Sequence, residues 1–236
     1  LDSESKQQTA NRQASHRERL LADIDNIREG RAYMVHLANI YLGLYTDIDA
    51  TVPAHERISV MIGHDVGDAA RVGFESFLTS ASSKPSADDI VTSMIEDKHW
   101  PTAFVIIVAL AERIRLDTDL IDLSDERVLA GLFELRRTHI DDQAGIAGLY
   151  EAIEAVVRER GLWNEAIRRY YKPQLQAGYA HANLHQLMRN DKDSVLANEL
   201  ASEWLVQLPE LPVSVEEELI DRLLVAGRYD ILRSIA

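Results

Sequence analysis

The sequence predicts an all-α chain, an irregular helical-repeat or α-solenoid-like array of helical hairpins. Three observations carry this prediction. Apolar residues recur at three- and four-residue spacing in one segment after another, the signature of helices with one buried face. The breaks between segments are short, and several are marked by a single Gly or Pro. The one long apolar run, Ala103 to Ala111, continues through Ile114 and is too long and too rich in alanine for a strand.

Taken in order, residues before about Ala14 are polar, and the first apolar stripe is Leu20, Leu21, Ile24 and Ile27, closed by Gly30. Met34, Leu37, Ala38, Tyr41, Leu44 and Tyr45 form the next stripe, so the two helices fold back across Gly30 or continue with a kink. Asp47 to Pro53 reads as a loop, followed by a short helix with Ile58, Met61 and Ile62 and a longer one with Val66, Ala69, Ala70, Phe74, Phe77 and Leu78. Ser80 to Ala87 is linker-like, and Ser86 with Asp89 forms a capping box that opens the Ile90–Ile95 helix. Pro101 suits the first turn of the following helix, which is apolar nearly all round and therefore central.

After the Asp117–Asp122 loop, Ser124 caps a helix bearing Val128, Leu129, Leu132, Phe133 and Leu135. Ile146 to Val157 and Trp163 to Tyr171 form a helix pair separated by Gly161, with Pro173 expected to end the second member. Leu175, Tyr179, Ala182 and Leu187 suggest one more helix, and Val195 to Leu208 a long one. Pro209 to Pro212 breaks the chain, Ser214 and Glu217 supply a capping box, and Gly227 separates the last two helices. Gly161 and Gly227 occupy equivalent places in an internal repeat of the form helix, Gly, aromatic, helix, although no fixed period runs through the chain. The expected division is 1-80, N-terminal hairpins, and 81-236, the repeat array; a single continuous domain over 15-236 is the alternative.

The chain has 236 residues, with 39 acidic and 25 basic side chains, a formal charge of −14. That field repels phosphate backbones, so nucleic acid is not an expected partner. The absence of cysteine removes disulfides, thiol nucleophiles and cysteine-based zinc sites together. The longest apolar run is far short of the roughly 20 residues that span a bilayer, so no membrane partner is expected; a cytoplasmic location is the expectation compatible with the lack of cysteine. The first residue is Leu, and the last apolar helix stops at Ser234-Ile235-Ala236 without a polar cap, from which a piece of a longer chain is expected.

Few residues have the pattern that chemistry needs. His181 and His185 are four apart, and on one helix both rings would share a face, as metal ligation requires. No third ligand is fixed by spacing, and two histidines near a helix interface are the plainer reading. Asp117, Asp119 and Asp122 lack the alternating ligands, mid-loop Gly and terminal Glu of a calcium loop. Glu216, Glu217 and Glu218 complement the dipole of a helix first turn. Gly63, Gly67 and Gly73 have neither the preceding strand nor the following Lys of a phosphate cradle. Trp100, Trp163 and Trp204, with Tyr170, Tyr171 and Tyr179, offer a recognition surface as one reading, and core aromatics at helical spacing as the plainer one; Tyr170 and Tyr171 are candidate surface residues because neighbours on a helix diverge. No catalytic residue and no cofactor are expected.

Residues 20–80 resemble a stretch of large bacterial proteins that couple a NACHT-type (STAND-class) NTPase to a long array of helical repeats. The points of similarity are Ile27 through Gly30, Ala38–Tyr41–Leu44, Tyr45–Asp47–Asp49, Glu56–Arg57, Gly63 through Phe74, and Leu78, with Trp100–Pro101 as a possible extension. The resemblance implies a helical sensor or scaffold region, with the NTPase phosphate loop upstream, and carries no functional residues of its own. The expected function is a non-catalytic scaffold or sensor segment whose partner is another protein or a neighbouring domain of the same longer chain. The alternatives are an all-α metal-dependent enzyme using His181 and His185, and an oligomerisation module.

Overall fold

A computed structural model describes residues 14–45, 49, 51–82, 84–179, 182–208 and 210–235. Among them every regular element is a helix and none is a strand. The chain divides into two compact units, Leu1–Ser93 with His99–Arg160, and Met94–Lys98 with Gly161–Ala236. The serine-rich stretch at 80–87, where the sequence placed a boundary, lies inside the first unit, and the division falls between Arg160 and Gly161.

The first unit contains α1 (residues 14–22), α2 (Ile24–Arg28), α3 (Met34–Tyr41), α4 (Arg57–Met61), α5 (His64–Thr79), α6 (Ala87–Ile95, whose last two residues group with the second unit), α7 (Ala103–Arg115), α8 (Asp125–Thr138), α9 (Ile140–Ala144) and α10 (Leu149–Glu159). Helix α7 is its axis. Every residue from Val105 to Arg113 is buried, and α3, α5, α8 and α10 pack around it. The all-round apolar surface of this segment therefore does what such a surface must do, which is to find neighbours on every side.

Glycines set the closest approaches. Gly67 and Gly73 lie within α5, where a Cβ would sit 2.1 Å from the Ser59 hydroxyl and 2.0 Å from the Ile27 carbonyl oxygen. They let α4 and α2 press against α5, so Gly67 and Gly73 serve packing. The capping box at Ser86 and Asp89 forms as expected, with the Ser86 N–H donating to Asp89 at 2.8 Å and the Asp89 N–H to the Ser86 hydroxyl at 3.1 Å. Ser124 likewise accepts from the Arg127 N–H at 3.3 Å.

The second unit contains α11 (Trp163–Gln176), α12 (His185–Arg189), α13 (Ser194–Gln207), α14 (Val213–Val225) and α15 (Tyr229–Ile235). Gly161 and Gly227 adopt φ of 71° and 68°, the left-handed conformation their placement after a helix predicts. Three expectations fail here. Pro173 does not end α11 but lies inside it. Its ring removes one main-chain hydrogen bond, and the buried Tyr170, Tyr171, Gln174 and Leu175 around it outweigh that loss. The helix read through Leu175 to Leu187 is interrupted: Gly178, at φ 64°, closes α11, and 182–184 are not helical. Ser214 does not cap α14, because the Pro212 carbonyl already accepts from the N–H groups of Val215 and Glu216, and the helix starts at Val213, two residues before a Ser214 cap would start it.

Candidate functional site

His181 lies outside the described residues. His185 is the first residue of α12, and residues 182–184 before it are not helical, so α12 does not extend back through them. Its Nδ1 is 3.3 Å from a Glu218 carboxylate oxygen on α14. No group of three metal-binding side chains occurs among the described residues.

Tyr170 and Tyr171 are corrected from surface to core, at 5% and 1% exposure. The buried positions of α11 are 163, 166, 167, 170, 171, 174 and 175, a stripe wide enough to hold both neighbours at its two edges. The rings meet edge to face at 5.0 Å between centroids, and the Tyr171 hydroxyl donates to the Asn183 carbonyl at 2.8 Å. Trp163 donates its indole N–H to Asp193 at 2.8 Å, Trp204 is fully buried 6.2 Å from Tyr171, and Trp100 stays partly exposed.

What the sequence did not signal is a set of arginines that tie loops to the frame. The buried Arg57 donates to the carbonyls of Tyr41 and Ala144, both at 2.7 Å, and of Val52 at 3.1 Å. Arg113 grips Glu75, the Asp119 carbonyl at 3.2 Å and both oxygens of Asp122, at 2.5 and 2.9 Å. These hydrogen bonds raise the Arg113 pKa and, from the other side, hold Asp122 below the usual carboxylate range. Arg160 donates to the carbonyls of Leu120 and Leu123 and to Asp125, the last two at 3.0 and 2.7 Å. In the second unit Arg222 joins Asn198, Met188 and Ser194 at 2.7 to 3.1 Å.

Beside Arg160 lies an open groove of about 520 Å³, formed by the end of α7, the α7–α8 loop and α10. Ile114, Ala152 and Val156 line it with aliphatic surface, and Asp117, Asp119 and Glu159 add carboxylates. Ile121, flanked by the buried Leu120 and Leu123, is 82% exposed. The sequence drew attention to this loop through its aspartates, as a failed calcium site, and not through Ile121.

Two other polar arrangements are structural. The Tyr41 hydroxyl donates to Glu112 at 2.8 Å, and Arg115 forks onto the same carboxylate at 2.8 and 2.9 Å. Burial, reinforced by the Glu112 charge, raises the Tyr41 pKa and keeps it a neutral donor. His16 and His36 share a contact of 2.9 Å between their Nε2 atoms, and His36 Nδ1 is 3.0 Å from the Tyr45 hydroxyl. Burial first, then His16, lowers the His36 pKa.

No helix among the described residues is long and apolar enough to cross a membrane. Comparison with protein-family models, curated proteins and solved structures finds no match to this chain.

Proposed function

We propose that this chain is a non-catalytic helical scaffold or sensor segment that mediates protein–protein interaction, an irregular solenoid-like array within a larger bacterial regulatory or defence NTPase. The observation that carries the reading is the use of arginine. Arg57, Arg113, Arg160 and Arg222 are engaged within the frame, each on at least two partners, where they fix loops in place. The acidic excess of the chain is thereby left on a surface whose loops are already ordered. A preordered acidic surface suits a partner that brings the opposite charge, and ordered loops lower the entropy lost on binding. The resemblance of residues 20–80 to NTPase-linked helical regions supplies the context.

The test is the complete reading frame and its activity. A Gly-x-x-x-x-Gly-Lys-Ser/Thr sequence upstream is expected, and deletion of this segment from the full-length protein is expected to change its nucleotide hydrolysis rate several-fold. A frame without such a motif overturns the NTPase context. Stoichiometric zinc, iron or manganese in the purified protein would instead favour the metal-enzyme alternative.

A further inference from the structure

The groove between the α7–α8 loop and α10 combines three properties that are separable in origin. Its floor is aliphatic, from Ile114, Ala152 and Val156. Its carboxylates lack a side-chain cation: those of Asp117 and Glu159 have no ion-pair or hydrogen-bond partner among the described residues, and that of Asp119 accepts only from the Ile121 N–H at 3.2 Å, while the Asp119 carbonyl is held by Arg113. The one cation in the lining, Arg160, is turned into the loop and already engaged with two carbonyls and Asp125.

The walls are also preformed. Arg113 holds the loop at Asp119 and Asp122, and Arg160 holds it at Leu120 and Leu123. Ile121 therefore stands exposed on a loop that is braced around it. An aliphatic side chain held out in water beside an aliphatic trough is the arrangement that a partner's apolar face would cover.

We propose that this groove docks a short basic amphipathic helix of a protein partner. Aliphatic residues of the helix would enter the trough against Ile121 and Val156, and Lys or Arg on its flanks would meet Asp117, Asp119 and Glu159. Charge complementarity selects this occupant. An acidic or neutral helix would leave the three carboxylates facing an apolar surface without counter-charge, and the desolvation of those groups would oppose binding. A purely basic, non-amphipathic peptide would leave the trough empty. The inference rests on the scaffold reading and assigns it a partner chemistry.

The experiment uses two fluorescein-labelled helical peptides of about four turns, identical in their leucine face and differing only in flanks of Lys or of Glu. Anisotropy titrations against the whole chain are expected to show the Lys peptide binding at least ~10-fold tighter than the Glu peptide, with the preference shrinking as salt rises. Ile121→Ser, at an exposed position that the fold does not need, is expected to weaken the Lys peptide ~5-fold or more. The double variant Asp117→Asn, Glu159→Gln should do the same. The double variant Glu216→Gln, Glu217→Gln makes the same change in net charge at α14 and should alter affinity less than ~2-fold. Amide shifts on titration should concentrate in residues 114–121 and 152–160.

If the α14 variant weakens binding as much as the groove variant, the peptide is sensing overall charge and the groove is overturned. Shifts confined to other residues overturn the groove while leaving the scaffold reading in place. Failure of the Lys peptide to bind at all overturns this partner chemistry, whereas the scaffold reading falls only on the reading-frame and deletion tests. Self-association through the same residues, seen as concentration-dependent mass in light scattering, would replace the foreign helix with a second copy of the chain and also overturn the proposal.

Discussion

Gly73→Ala is the substitution whose effect the structure constrains most tightly. Position 73 is inside α5, and in an isolated helix the change would stabilise by about 1 kcal/mol, since Ala is the better helix former. Here the added Cβ would lie 2.0 Å from the Ile27 carbonyl oxygen, 3.1 Å from the Ile27 carbonyl carbon and 3.1 Å from the Met34 methyl. The nearest obstacle is main chain, which cannot rotate away, so α2 and α5 must separate by more than 1 Å along that line. Overpacking of this kind costs up to about 3 kcal/mol or slightly more. The net expectation is a loss of about 2 kcal/mol, read in urea denaturation as a midpoint lower by about 1 M. Gly131→Ala is the internal comparison: its Cβ meets side chains and no main chain, the end of Leu110 at 2.2 Å and Ile106 at 3.7 Å, and a side chain can repack. The smaller loss should therefore be at Gly131. A Gly73→Ala protein as stable as the parent would refute the claim that main-chain contact sets the spacing of α2 and α5.

Arg57→Met should cost about 3–5 kcal/mol, because three carbonyls from different segments lose their donor in a buried place, and thermal unfolding measures it. Arg57→Lys should recover less than half of that, since one ammonium lacks the planar fork that reaches carbonyls in several directions. The His36 imidazole, held below its ordinary value of 6.5 by burial and His16, makes stability depend on pH. The unfolded chain takes up the proton first as pH falls through 6.5, so stability is full above that value and declines below it, until the lowered native pKa is passed. Its slope cannot exceed about 1.4 kcal/mol per pH unit and should be smaller at a half-exposed site. In denaturant titrations at a series of pH values, His36→Gln should lack this component, and an unchanged profile would contradict the assignment.

The parts of the fold legible in the sequence are those decided locally. Gly30, Gly161 and Gly227 could be placed because a left-handed residue after a helix is a demand of the adjoining backbone alone. Ser86, Asp89 and Ser124 could be placed because a cap reaches only three residues. Helix α7 was legible because a segment apolar on all faces has one stable location. Pro173 misled because the burial that carries α11 through it comes from side chains distant in sequence. Ser214 misled because Pro212 was equally able to start the helix, and the local pattern does not rank them. Tyr170 and Tyr171 were misjudged by allowing the helix too narrow a buried stripe.

The groove and the arginine clamps were invisible for a stronger reason. Arg57 and the Ala144 carbonyl are 87 residues apart, and Arg160 and Leu120 are 40 apart. An acceptor that is a main-chain carbonyl leaves no mark in the sequence, because every residue has one.

That same anonymity of the acceptor governs which changes the chain tolerates. A guanidinium closed on the carbonyls of Val52, Ala144, Leu123 or Met188 registers where the backbone runs and is indifferent to which side chain it bears. As far as the clamps are concerned, residues at those positions are free to drift in identity. A one-residue insertion or deletion is different: it displaces the acceptor by up to about 3.8 Å, beyond hydrogen-bonding reach. Loops held in this way are permissive to substitution and strict in length, so their length, more than their composition, is what related chains would be expected to share.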